Sequence, residues 1–201
     1  GAVTIDRVHA TVGRHPAEER RGVIVTDQLP LHPVQASVQS EAGRWSLRLE
    51  RDLAHSPEQV WAALTKADQV RRWAPYAPAR DLDVVGDVLL PQAEGGEPAE
   101  GTPEPGQVLE ADRPRLLVLL WGGHIVRYEL APTSSGQVHL VLIHTFDQRD
   151  EAPDYASGWH LCLSALAGRL DGHDVPVVAG SVAREYGWQS LRDDYAELLN
   201  S

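Results

Sequence analysis

Arg44-Trp45-Ser46-Leu47-Arg48-Leu49-Glu50-Arg51-Asp52-Leu53 is the stretch on which the fold turns. Trp45, Leu47, Leu49, Arg51 and Leu53 alternate with Ser46, Arg48, Glu50 and Asp52. Successive side chains of an extended chain point to opposite sides, so this is a β-strand with one buried face. Ser56-Pro57-Glu58-Gln59 follows and opens a helix. Ser56 is a good N-cap, Pro57 occupies the first helical position where its missing N–H is not needed, and Gln59 completes a capping box. Val60, Trp61 and Leu64 then make the apolar stripe, and a second short helix carrying Val70 and Trp73 ends before Pro75.

Upstream of this stretch, residues 1–43 show no strong period. They hold short β-like runs, Val23-Ile24-Val25 among them, and are expected to be an N-terminal extension, partly ordered at best. Downstream, 82–85 and 88–90 read as a hairpin around Gly86-Asp87. Residues 91–106 are rich in Pro, Gly and Glu with no apolar side chain larger than Ala93 and Ala99, which predicts a solvated loop or a mobile lid over a cavity. Strands are predicted at 107–111, 115–121, 124–130 and 137–146, with Gly122-Gly123 as a two-residue hairpin turn. In the last of them Val138, Leu140, Leu142, His144 and Phe146 share a face.

The longest helix pattern is 154–170, where Trp159, Leu163, Leu166 and Leu170 form one stripe with Cys162 on its flank, and Gly172 stops it. Beyond Pro176, residues 181–199 predict another helix with Trp188, Leu191, Tyr195 and Leu198 on one side. Clustered antiparallel strands closed by a helix make an α+β fold with the helix on one sheet face. The expected organisation is one domain at 44–171, an extension at 1–43 and a C-terminal extension with a helix at 172–201.

The 201 residues suit one domain, and 42% apolar content is enough for a core without disulfides or metals. A formal charge of −11 argues against a nucleic-acid surface and against an anionic membrane, both of which need clustered cations. The longest apolar run, 116–121, is too short to span a bilayer. Cys162 stands alone, so no disulfide framework is expected, and with no secretory pattern at the start the expected compartment is the cytoplasm.

The segment 48–53 followed by Ser56-Pro57-Glu58-Gln59-Val60-Trp61-Ala62-Ala63-Leu64-Thr65 resembles the opening signature of the START/SRPBCC superfamily, the birch-pollen-allergen-like proteins. Within it, the chain is most similar to homologues of the activator of the heat-shock chaperone ATPase. Trp73 stands where that subgroup carries a tryptophan after its second short helix. Gly106-Gln107-Val108-Leu109-Glu110, Arg113-Pro114-Arg115-Leu116-Leu117 and Trp121 resemble its central strands. Leu140-Val141-Leu142-Ile143-His144-Thr145-Phe146 and Gly158-Trp159-His160-Leu161-Cys162-Leu163 resemble its closing strand and helix. The resemblance covers 44–171; the loop 91–106 is longer than the usual connection. It implies a helix-grip fold, a curved antiparallel sheet wrapped around a long C-terminal helix with a cavity between them. The superfamily includes lipid binders, polyketide cyclases and aromatases, chaperone activators and self-resistance proteins.

Against that fold, Arg51, Trp73, Trp121, His124, Tyr128, His144, Phe146, Trp159 and Leu163 are the candidate ligand-binding residues. Their types suit either a packed core or a mostly apolar pocket with a few placed polar groups. His144 points inward with Leu140, Leu142 and Phe146, and imidazole titrates near neutrality, so it is a structural hydrogen-bonding group, a ligand contact or an acid/base. Arg51, inward between Leu49 and Leu53, is expected to pair with a carboxylate or meet an anionic ligand. His124, His144, His160 and Cys162 lack a diagnostic metal spacing, no phosphate cradle or nucleophile elbow is visible, and no metal or cofactor is expected. The expected function is binding of a hydrophobic, aromatic or polycyclic small molecule, in natural-product biosynthesis or self-resistance. The alternatives are a cyclase/aromatase-type enzyme with His144 moving protons, and a chaperone-interacting protein.

Overall fold

The structure, a computed structural model, describes residues 3–5, 29, 31, 34–101 and 104–200. The run 23–25 lies outside them. Ten strands are described: β1 (Val3–Ile5), β2 (Val34–Glu41), β3 (Arg44–Leu53), β4 (Gly86–Leu89), β5 (Ala93–Glu94), β6 (Glu97–Pro98), β7 (Pro105–Asp112), β8 (Leu116–Trp121), β9 (His124–Pro132) and β10 (Val138–Phe146). The helices are α1 (Pro57–Thr65), α2 (Ala67–Val70), α3 (Ala152–Leu170) and α4 (Trp188–Asn200).

Eight strands form one antiparallel sheet in the order β1-β2-β3-β10-β9-β8-β7-β4, and β5 and β6 pair separately. β10 lies between β3 and β9, with His144 opposite Leu47 and Val126, Leu142 opposite Leu49 and Tyr128, and Leu140 opposite Arg51 and Leu130. Paired residues share a face, so the period-two pattern of each strand adds into one continuous inner wall. The helix start forms as its sequence dictates: Gln59 N–H donates to Ser56 Oγ at 3.3 Å and Ser56 N–H donates to Gln59 Oε1 at 3.1 Å. α3 lies across the inner face with Trp159, Leu163 and Leu166 buried toward the strands. This is the expected α+β helix-grip architecture. Among the described residues no helix is long and apolar enough to cross a membrane.

Four features differ from the sequence pattern. First, β2 forms a hairpin with β3, so the boundary drawn at 43 falls inside paired structure. Its inward residues Val34, Ala36 and Val38 are small and alternate with Gln and Ser, a weak signal that pairing with β3 makes sufficient. Second, 82–85 does not pair with 88–90. Arg80 gathers the main-chain carbonyls of this segment instead: Nη1 donates to Asp81 O and Val84 O, Nη2 to Gly86 O, and Nε and Nη2 to Asp87 O. The chain bends around the guanidinium, Val84 and Val85 are left exposed, and β4 pairs with β7.

Third, the segment 91–98 is ordered as the β5–β6 hairpin, with Ala93 buried and Glu94 accepting from Ser181 N–H and Oγ–H. Fourth, 181–199 is not one helix. A 3-10 turn at Gly180–Tyr186 ends at Gly187, whose φ of 85° lies in the left-handed region, and α4 starts after it. α4 packs along the side of α3 turned away from the sheet, burying Leu191 and Tyr195 completely. Leu161 and Ala165, roughly opposite Trp159 on the helix, are therefore buried as well. His160 Nδ1 and Tyr195 Oη are hydrogen-bonded at 3.0 Å, and Arg192 is ion-paired with Asp154.

Candidate functional site

Around His144 the inner wall between sheet and α3 is aromatic, while leucines and valines line the rest of it. Trp121 ends β8 and His124 opens β9, directly opposite each other. The turn joining them, Gly122-Gly123, has φ of 55° and 82°, the geometry of a tight hairpin turn that only glycine adopts without strain. That turn holds Trp121 and His124 together at the end of the wall. Tyr128 and His144 follow on β9 and β10, and Trp159 descends on them from α3. Ring centroids from Trp159 are 6.4 Å to Trp121, 6.2 Å to Tyr128 and 6.0 Å to His144. Phe146 lies 5.5 Å from His144, and Trp73 lies 6.2 Å from Tyr128, with its Nε1–H donating to Ala63 O.

Three polar groups form a directed string through this wall. Trp159 Nε1–H donates to His144 Nδ1 at 3.1 Å, and His144 Nε2 lies 2.9 Å from His124 Nδ1. An indole nitrogen can only donate, so His144 Nδ1 carries no hydrogen and Nε2 does. His144 therefore donates to His124 Nδ1, and the neutral His124 keeps its hydrogen on Nε2. Burial pushes the His144 pKa down to about 3, and the positive charge of His124, when protonated, and of Arg44 adds to the effect. His124, half-buried, is lowered too, chiefly by burial, against Glu151 and Asp147, which favour its charged form. Both nitrogens of His144 are engaged, so it has no free lone pair with which to act as a base.

Two residues absent from the sequence reading belong to this wall. Tyr155, on the first turn of α3, packs its ring 4.5 Å from His144, 5.5 Å from His124 and 4.9 Å from Phe146. It lies four residues before Trp159, so the helical period contained it. Tyr76 comes from the irregular segment after α2, where no period applies. It is fully buried, with its ring 5.3 Å from Trp121 and 6.5 Å from Trp159, and its hydroxyl is 2.8 Å from that of Tyr128. Burial raises both phenol pKa values, so both hydroxyls keep their protons. Trp121 Nε1 is buried and has no partner among the described residues.

Arg51 does not join the aromatic group. It is four residues along the β3–β10 ladder from the His144 position, about 13 Å at the rise of a strand. At 7% exposure it forms no ion pair among the described residues; its Nη1–H donates to Leu163 O on α3 at 2.8 Å. Of the two expected partners, a carboxylate or an anionic ligand, the described residues supply no carboxylate; the helix carbonyl takes Nη1–H and Nε–H has no acceptor among them. Burial lowers its pKa to about 10, so the charge persists at neutrality. Leu163 enters the picture through this same carbonyl and through its buried side chain. Cys162 is buried and its thiol is pushed up to about 12 by that burial, which makes it an inert core residue. Among the described residues no group of three or more His, Cys, Asp or Glu is arranged to hold a metal ion. Outside the wall, Trp73 also borders a groove of about 520 Å³ that it shares with Ala63, Leu166, Leu170, Arg72 and Arg169.

An antiparallel sheet gripping a long helix, with an aromatic wall between them, defines a helix-grip α+β protein. Residues 54–171, more than half the chain, match the family described as activator of Hsp90 ATPase homolog 1-like protein, and the chain belongs to that family. Among solved structures it is similar to a conserved protein of unknown function from Enterococcus faecalis, with TM-score 0.62 and 16% identity over 81% of this chain and 88% of that one. It is similar to CalU16 from Micromonospora echinospora, with TM-score 0.61 and 19% identity over 84% and 98%. A protein from Bordetella parapertussis gives TM-score 0.58 and 28% identity over 80% and 88%. No curated protein sequence matches the chain.

Proposed function

We propose that the chain is a binding protein for an apolar, aromatic small molecule held between the sheet and α3. The observation that supports this most is the state of His144: it is neutral, enclosed by rings, and bonded through both nitrogens to Trp159 and His124. Such a group fixes the orientation of its neighbours and moves no proton. The surrounding wall offers large apolar faces, and burying a ligand's apolar surface against them drives association. A carrying or sequestering role, of the kind a self-resistance protein performs, follows from binding without conversion.

The test is a titration of purified protein with aromatic probes, followed by tryptophan fluorescence and native mass spectrometry. Stoichiometric binding with the probe recovered unchanged is expected. His144→Gln should change affinity by less than about 1 kcal/mol, because the hydrogen bonds of His144 go to Trp159 and His124 and not to the probe. Conversion of a polyketide-like substrate that falls roughly 10²–10⁴-fold in His144→Gln, with affinity intact, would instead establish proton-transfer catalysis.

A further inference from the structure

Two polar hydrogens of the aromatic wall have no acceptor among the described residues. One is Trp121 Nε1–H. The other belongs to the Tyr76–Tyr128 pair: one hydroxyl donates to the other, and the accepting hydroxyl's own hydrogen is left over. These donors sit on neighbouring rings, with the Tyr76 and Trp121 centroids 5.3 Å apart. The other ring N–H groups of the wall's interior are taken. Trp159 gives its hydrogen to His144, His144 to His124, and Trp73 to Ala63 O. A buried site with donors to spare selects a ligand that accepts.

Tyr76 is also held differently from the other rings. Trp121, Tyr128 and His144 stand on strands of the main sheet, and Trp159 stands on α3. The main chain around Tyr76 bonds instead to the last residue of β4 and the stretch that follows it: Ala79 N–H to Leu89 O, Ala77 N–H to Pro91 O, and Ala93 N–H to Pro75 O. A bridge pairs Tyr76 with Gln92. This strap continues into the β5–β6 hairpin, which is pinned by Glu94 on Ser181. Tyr76 thus inserts a phenol ring into the wall from a peripheral strap.

We infer that the occupant of this interior is a planar aromatic compound bearing an acceptor-only oxygen, an aryl ketone or quinone carbonyl, seated where the Tyr76 ring stands. Its oxygen faces Trp121 Nε1–H and the Tyr128 hydroxyl, which becomes a free donor once Tyr76 moves aside. This rests on the reading of the interior as a ligand site and narrows the chemistry of what it takes.

The experiment compares 1-indanone with indane, its isostere without the carbonyl, on wild type, Trp121→Phe and Tyr76→Ala, by NMR titration of the indole N–H resonances. In wild type 1-indanone should bind about ten-fold tighter than indane, as one to two hydrogen bonds imply. It should also shift the Trp121 N–H signal, which is identified by its loss in Trp121→Phe. The preference should fall to about three-fold or less in Trp121→Phe, and Tyr76→Ala should tighten both probes about ten-fold by vacating the ring's place. Equal affinities in wild type, or a preference unchanged in Trp121→Phe, overturn the acceptor chemistry while leaving the interior a binding site. A folded Tyr76→Ala that binds no tighter overturns the placement. Should Tyr76→Ala fail to fold, the comparison of wild type with Trp121→Phe still decides the chemistry. Absence of binding by either probe to any of the folded proteins overturns this inference together with the proposed function.

Discussion

Acidification from about pH 7.5 to about pH 5 is expected to remove roughly 2 kcal/mol of folding stability through His144 alone. The ring is fully buried, its Nδ1 accepts from Trp159 and its Nε2–H donates to His124. A second proton on Nδ1 would face the indole hydrogen. Burial therefore holds the folded pKa at about 3, against about 6.5 in an unfolded chain. The unfolded state binds the proton first, so stability is full above about pH 6.5 and is lost as the pH falls toward the folded value. At about pH 5 the loss is RT ln(1 + 10^1.5), about 2 kcal/mol, and it depends little on the folded pKa while that stays below about 4. His139 acts in the opposite sense. Its pKa is raised, first by the Asp52 hydrogen bond, so its contribution is present below about pH 6.5 and fades as the pH rises through the folded value. The control that isolates His144 is His144→Gln, whose amide can accept from Trp159 and donate to His124 but does not titrate. Urea denaturation followed by circular dichroism at both pH values should show the variant about 1 kcal/mol less stable than wild type near neutrality. At about pH 5 the gap should close or reverse. A constant difference between the two proteins across this range would refute the neutral, donor-locked His144.

Docking of α4 can be tested at Tyr195: Tyr195→Phe should cost about 1 kcal/mol through the lost bond to His160, and Tyr195→Ala about 3–5 kcal/mol through the cavity left against α3, both read by urea denaturation. Cys162 should resist an aromatic disulfide reagent until the protein unfolds, since burial keeps its pKa near 12; labelling of native protein faster than unfolding would contradict the packing around α3. Ala42, in the β2–β3 turn at φ 50°, adopts a left-handed conformation. Ala42→Gly should therefore stabilise the hairpin by up to about 1 kcal/mol, seen as a higher denaturation midpoint.

Much of the fold is written in local pattern. The alternation from Trp45 to Leu53, the Ser56 cap, the Gly122-Gly123 turn and the Trp159-Leu163-Leu166-Leu170 stripe each need only a few consecutive residues to be read. The inward direction of His144 follows from the same parity. Tyr155 was within reach of the helical period as well. Tyr76 was not, because an irregular segment has no period and only its tethers to 89–93 bring the ring inside. The bending of 80–87 around Arg80 escaped for a related reason: one side chain took the carbonyls that a hairpin would have used.

By itself, then, the sequence determined which residues form strands and helices and which of their faces turn inward, because those choices depend on side chains a few positions apart. Tertiary structure decided what each inward group meets. It set Trp159 and His124 on the two nitrogens of His144, a helix carbonyl on Arg51, Tyr76 against Tyr128, and α4 over the outer side of α3. These contacts join elements whose spacing along the chain carries no period, and they are fixed only by strand register and by where the helices cross the sheet.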